Sequence, residues 1–317
     1  MNDQPSSPFR IAFFGSGKFA LASLQALLNG PDKIVLTVTT PSAKAGRGQV
    51  LTASPVALFA AERKIPFIET NAVNGNESME MIERAHPEIL VVVAFRGFLG
   101  QRLLSMGYTP PINVHPSLLP RHRGPAPISW TLIKGDPFCG VTVTFCDLKI
   151  DSGAILAQKH MPTPEGVSAG ELETIFADIG ADLLVKVMDQ IRNDSLSPAL
   201  QDESSATMNR LLTKADGLVA FERPAEELAR LINGVNPWPG AQARFNQKIV
   251  KFYGAKSLPG AGRPGEILGL TDDGWLKIGT AQDLLAVEQV QPEGKAKIKS
   301  ADFLRGYRGD SFQNGSL

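Results

Sequence analysis

The chain has 317 residues, 43% hydrophobic and 20% charged, with 32 basic side chains against 32 acidic ones. That length suggests two domains, and the composition excludes a disordered chain. Zero net charge excludes a uniformly basic nucleic-acid binder. The only cysteines, Cys139 and Cys146, exclude a disulfide framework or a Cys-rich zinc site, and four scattered histidines give no reason to expect a metal. No apolar run is long enough for a membrane span, and the polar first ten residues do not read as a secretory signal, so a cytoplasmic protein is expected.

In chain order, Arg10–Phe14 reads as a strand that ends at Gly15-Ser16-Gly17, and Phe19–Leu28 as a helix. Ile34–Thr40 is a β-branched strand, Ser54–Lys64 and Glu77–Ala85 are helices, and Ile89–Ala94 is a buried strand. Ile112–His115 and Val141–Phe145 are further strands, the second continuing toward Ile150. Ala169–Arg192 has strong helical periodicity. Strands alternating with helices imply a Rossmann-like, doubly wound, mostly parallel α/β sheet. Asn193–Met208 is polar and reads as a linker or extended crossover. Pro224–Ile232 is a short helix, and Asn236–Gly240 a rigid turn. Short strands then recur at Gln242–Phe245, Ile249–Gly254, Gly265–Leu270, Trp275–Gly279 and Leu284–Gln289, which suits a small OB-like β-barrel. The expected domains are 1–200 and 216–317, joined by a linker at 201–215.

Gly15-Ser16-Gly17-Lys18-Phe19-Ala20 fits the G-x-G-x-x-A dinucleotide fingerprint. That reading needs an acid at the end of the second strand, where the chain has Thr39-Thr40-Pro41. The glycines are therefore read as a tight strand-to-helix turn. Asn113 and His115 lie two apart on a strand and share a face, with Val114 behind. A carboxamide and an imidazole there suit an oxygen that gains charge, or a proton relay. Read alone, they equally suit a satisfied buried polar pair. Asp151 in Ile150-Asp151-Ser152-Gly153 can orient such an imidazole, or simply cap a turn.

Taken together, Ile112–Pro120 (Ile-Asn-Val-His-Pro-Ser-Leu-Leu-Pro) and the following Arg-x-Arg-Gly-x-Ala-Pro-Ile resemble the signature of the folate-dependent formyltransferases. Val91–Phe95 and Gly140–Thr144 are similar to neighbouring blocks of those enzymes. Ala45-Gly46-Arg47-Gly48 with Ser54-Pro55-Val56 resembles the insertion loop of the members that act on charged initiator tRNA. Asn236–Ala241 and Leu284–Lys295 resemble their C-terminal domain. The likeness runs from about Ile11 to Gly306. It implies a formyltransferase fold and transfer of a formyl group from 10-formyltetrahydrofolate to the methionine amine on initiator tRNA. It further implies that Asn113, His115 and Asp151 are catalytic. Ser117, Leu118, Leu119 and Pro120 would contact folate, with Phe95, Phe98 and Leu99 at the pterin, and Arg47 would approach the tRNA acceptor end. A monomer is expected.

Some positions depart from the family pattern: Pro41–Lys44, Phe95-Arg96-Gly97, and His122, which is read as a surface or rim residue. Within the superfamily, an amino-sugar formyltransferase or a formyltetrahydrofolate hydrolase module is the alternative. Outside it stand a nicotinamide oxidoreductase and a non-catalytic RNA-binding protein. The order of the charges favours an RNA partner. No acid lies between Asp32 and Glu62, between Glu88 and Asp136, or from Ala241 to Pro264. Together with Arg47, the basic residues Lys44, Arg121, Arg123, Lys248, Lys251 and Lys295 form the expected tRNA-facing set, a basic side on a neutral protein.

Overall fold

β1 (Arg10–Gly15) is buried from Ile11 onward, as a central parallel strand must be. α1 (Lys18–Leu28) and β2 (Lys33–Thr39) follow, then a short antiparallel ladder of β3 (Ala43–Ala45) and β4 (Val50–Thr52). In this computed structural model residues 8–45 and 50–316 are described, so Arg47 lies outside the described residues. α2 (Pro55–Glu62) starts at a capping signal: the Ser54 hydroxyl accepts from the Ala57 N–H, and Pro55 opens the first turn. β5 (Phe67–Glu69), α3 (Asn76–Arg84), β6 (Ile89–Val93), α4 (Gln101–Leu104) and β7 (Ile112–His115) continue the alternation. α5 (Pro127–Lys134), β8 (Phe138–Phe145), β9 (Ile155–Pro162) and α6 (Ala169–Arg192) come next.

Seven strands form one sheet in the order β5-β2-β1-β6-β7-β8-β9. Pairing is parallel from β5 to β7, and β8 runs antiparallel to β7. The chain winds outward from β1 to β5, then returns to β6 on the other side of β1. Ligands of such sheets sit outside the carboxyl ends of the strands near this reversal. On one face Phe14, Leu36, Val38, Leu90 and Val92 bury against Met79 and Ile82 of α3 and Leu103 of α4. On the other face α6 lies close behind β7. A Cβ at Gly180 would stand 2.8 Å from Val114 Cγ1, so a residue without one lets the helix approach. Val114 is thereby buried, and strand alternation turns Asn113 and His115 to the opposite face.

The chain divides into two units. The first runs to Gly124 and includes Gly140–Met161 and Glu173–Met208; the second holds Pro125–Cys139, Pro162–Leu172 and the chain from Asn209. Part of the segment read as a linker is fastened into the first unit. Ala199 bridges to Ile155, and Met208 to Arg123.

The second unit contains α7 (Ala225–Gly234), β10 (Ala241–Phe245), β11 (Lys248–Leu258), β12 (Ile267–Leu270), β13 (Leu276–Gly279), β14 (Leu284–Pro292), β15 (Ile298–Lys299) and α8 (Ser300–Gly306). The strands pair in the order β10-β11-β14-β13-β12, with β15 on β14, and every pairing is antiparallel. The free edges meet through the C-terminal segment. Gln313 exchanges two backbone hydrogen bonds with Arg244 of β10, while Phe312 N–H donates to the Gly265 carbonyl and Ile267 N–H of β12 to that of Asp310. This closes the expected barrel. Phe312 fills its core, with ring centroids 5.1 Å from Phe245, 5.2 Å from Phe252, 5.9 Å from Phe303 and 6.1 Å from Phe221. None of the described helices is long and apolar enough to cross a membrane.

Candidate active site

Asn113 and His115 stand together at the end of β7, beside Thr144 and Thr142 of β8. The sequence suggests that the next strand continues toward Ile150, but β8 stops at Phe145. Thr144 Oγ1 donates at 2.7 Å to the Gly153 carbonyl, and Phe145 N–H at 3.0 Å to that of Ala154, so the chain reverses here. A Cβ at Gly153 would sit 1.9 Å from the Phe145 carbonyl oxygen, so only glycine fits this close approach. Asp151 lies in the reversing turn at φ +52°, a left-handed conformation that Asp tolerates better than most residues.

The Asp151 carboxylate ties the site together. Its Oδ1 accepts from Asn113 Nδ2 at 3.2 Å, and its Oδ2 accepts from the Gly124 N–H at 2.8 Å. The same Oδ2 lies 3.5 Å from His115 Nδ1. His115 Nε2 is 2.9 Å from the His122 carbonyl, so each ring nitrogen faces an acceptor. His115 is 6% exposed, whereas Asn113 and Asp151 remain partly open. An amide has two N–H groups, and one suffices for Asp151. The second Asn113 N–H can therefore be presented to an oxygen that gains charge. Burial, with the Asp151 charge second, pushes the nearby Cys146 thiol up to about 12.

Two expectations are corrected at this site. His122 is buried rather than a rim residue, at φ +60°, and its N–H donates to Thr207 Oγ1 at 2.8 Å. Arg123, expected to face tRNA, is buried as well. Its guanidinium binds Gln201 Oε1 and both carboxylate oxygens of Glu203, with the shortest contact at 2.7 Å. Glu203 is held below the usual carboxylate range chiefly by that Arg123 hydrogen bond.

Residues expected at folate divide by exposure. Ser117 and Leu119 are turned inward. Thr142 Oγ1 donates to the Ser117 carbonyl at 2.7 Å and accepts from the Leu119 N–H, while Gln158 Nε2 donates to the Leu119 carbonyl at 2.9 Å. Those two residues shape the loop, and Leu118 and Pro120 are its partly exposed members. Leu99 is buried and Phe95 meets Phe14 edge-on at 5.7 Å, whereas Phe98 is 54% exposed. Asn74, which sequence reasoning does not single out, holds this rim: Nδ2 donates to the Phe98 carbonyl and Oδ1 accepts from the Gly100 N–H.

Of the remaining basic residues expected at tRNA, Arg121 is exposed in the first unit and Lys44 lies in β3. In the second unit Lys248 and Lys295 are exposed and Lys251 half-buried, and none of the three forms an ion pair among the described residues. At Gly15, Ser16 Oγ accepts from Thr39 Oγ1 and from the N–H of Thr40, so hydroxyls occupy the place of a ribose-binding acid. Among the described residues no group of three or more His, Cys, Asp or Glu is placed to hold a metal.

The formyl transferase family model matches residues 9–188, and that of the formyl transferase C-terminal domain matches residues 211–308. The chain is 34% identical to methionyl-tRNA formyltransferase of Citrifermentans bemidjiense, over 94% of each chain. It is 36% identical to that of Desulfotalea psychrophila, over 94% of this chain and 92% of the relative. The fold is similar to an N-formyltransferase from Helicobacter canadensis (TM-score 0.65, 16% identity, covering 90% of this chain and 99% of that one). It is also similar to HypX from Aquifex aeolicus in complex with tetrahydrofolic acid (TM-score 0.67, 16% identity, covering 97% of this chain). This chain spans about half the length of HypX, at 51%. The matches over both parts of the sequence, with relatives this similar along nearly its whole length, place the chain in the formyltransferase family, among the methionyl-tRNA formyltransferases.

Proposed function

We propose that the chain transfers the formyl group of 10-formyltetrahydrofolate to the α-amine of methionine esterified to initiator tRNA. The observation that supports this most directly is the Asp151 carboxylate joining Asn113 and His115 at one strand end. The methionine amine attacks the formyl carbon, and a C–N bond forms while the formyl oxygen gains negative charge. The bond to N10 of the folate then breaks, and the proton lost by the amine ends on N10. Asn113 donates to the developing oxyanion, as preorganised donors do in acyl transfer. His115, oriented by Asp151, shares that charge or carries the amine proton.

The pterin rests against Phe95, Phe98 and Leu99, with Leu118 and Pro120 along the rest of the folate. Arg47 approaches the acceptor end of the tRNA with its guanidinium on phosphate or base, and Lys44, Arg121 and, on the barrel, Lys248, Lys251 and Lys295 contact the tRNA backbone. The protein acts as a monomer in the cytoplasm. The test is a transfer assay with purified protein, 10-formyltetrahydrofolate and Met-charged initiator tRNA, with an amino-sugar nucleotide as competing acceptor. Formylmethionyl-tRNA is the expected product. Transfer to the sugar and none to the tRNA would overturn the reading.

A further inference from the structure

Segment 199–207 makes hydrogen bonds that the chemistry above does not call on. The Gln201 carboxamide is used on both sides. Its Nε2 donates to the Asp151 carbonyl at 2.8 Å and to the Gly153 carbonyl at 2.7 Å. Its Oε1 accepts from Arg123 Nε at 3.0 Å and Nη2 at 2.8 Å. Six residues on, Thr207 grips the loop that carries His122. Its hydroxyl accepts from the His122 N–H, and its carbonyl from the Arg123 N–H at 2.9 Å. One strap thus holds the turn that presents Asp151 and the loop whose carbonyl faces His115.

Two donors from one rigid amide, fixed on carbonyls two residues apart, restrain the backbone dihedrals between them. Asp151 occupies a left-handed conformation there, and the two hydrogen bonds hold the turn on either side of it. We propose that Gln201 is a positioning residue for formyl transfer: it fixes the Asp151 turn so that the carboxylate meets Asn113 and His115 together. This rests on the reading of the site given above. A merely structural Gln201 would serve only as an acceptor for buried Arg123, and its donors would be dispensable.

Gln201→Glu separates the two roles. It keeps an oxygen for Arg123 but puts a second oxygen against the carbonyls of Asp151 and Gly153. Gln201→Ala removes both contacts. Both variants are expected to lower kcat by about 10–100-fold, the scale of a misplaced catalytic group, with KM for donor and tRNA within about two-fold. Full kcat in Gln201→Glu, or a loss confined to KM, overturns the proposal. A second readout needs no turnover: the His115 ring resonances in ¹⁵N-histidine NMR. They should move in Gln201→Glu, and unmoved resonances overturn the proposal even if the variant is inactive through loss of fold elsewhere. If the wild-type protein transfers no formyl group, the reading of the function fails, while the His115 resonances still decide the role of Gln201.

Discussion

At the end of β7 the first unit buries His115, Ser117, His122, Arg123, Thr142 and Thr144, and side-chain hydrogen bonds tie this group to backbone groups of the surrounding turns. Inside its barrel the second unit buries Phe221, Phe245, Phe252, Phe303 and Phe312 instead. Its polar exceptions are few. Asn233 is one, and it pairs with both the N–H and the carbonyl of Ala255. Buried polar networks specify geometry, whereas aromatic cores supply stability through apolar area. Substitutions in the first region should therefore appear in turnover, and those in the second in the unfolding transition.

The largest expected effect is on turnover. Asn113→Ala and His115→Ala should each lower kcat by about 10²–10³ in the transfer assay, while circular dichroism still reports a folded protein. Phe312→Ala should show the opposite signature. It should cost about 3–5 kcal/mol in urea unfolding, with kcat per folded molecule retained. Equal loss of turnover and stability in both cases would erase the contrast. A smaller effect is expected outside the barrel core. Lys251→Ala with Lys295→Ala should raise KM for tRNA and reduce the salt dependence of binding, by a slope of about 1 per lost phosphate contact. The smallest change concerns Cys146. With its thiol raised to about 12, only about one molecule in 10⁴ is ionised at pH 8. Alkylation of a Cys139→Ser protein should be slow at pH 8 and accelerate as pH rises toward that value. Removing the charge in Asp151→Asn should lower the thiol pKa and speed the reaction modestly.

Much of the fold is legible in the sequence where hydrophobic period and punctuation agree. β7 spans Ile112–His115 and α6 spans Ala169–Arg192, the boundaries that the pattern itself suggests. β9 escapes such a reading because its apolar residues sit together at its two ends, around Gln158-Lys159-His160, rather than alternating, and its second half is largely exposed. α5 is hidden in a Gly-Pro-Ala-Pro run, although Pro127 at its first turn is a legitimate start signal. The alternation Leu148-Lys149-Ile150 mimics a strand, yet both apolar side chains are exposed, at 54% and 53%, in the turn that delivers Asp151. Asn113, His115 and Asp151 can be named from sequence only through the likeness of the blocks around them to the family signature; their types alone suit a satisfied polar pair and a turn cap as well. Their supports cannot: Gln201 and Thr207 act through contacts with residues 48–85 positions away. The burial of Arg123 is invisible for the same reason. An arginine in an acid-free window reads as surface charge until the fold brings Glu203 to it.

Closure of the barrel by Phe312 and Gln313 has a consequence for truncated chains. Without these residues, β10 from Arg244 onward, past the Val219 hydrogen bond to Gln242, and β12 present unpaired strand edges around an aromatic core with its centre missing. Such edges template strand addition from other chains. A chain truncated before Asp310 is thus open to strand addition that the closed barrel resists.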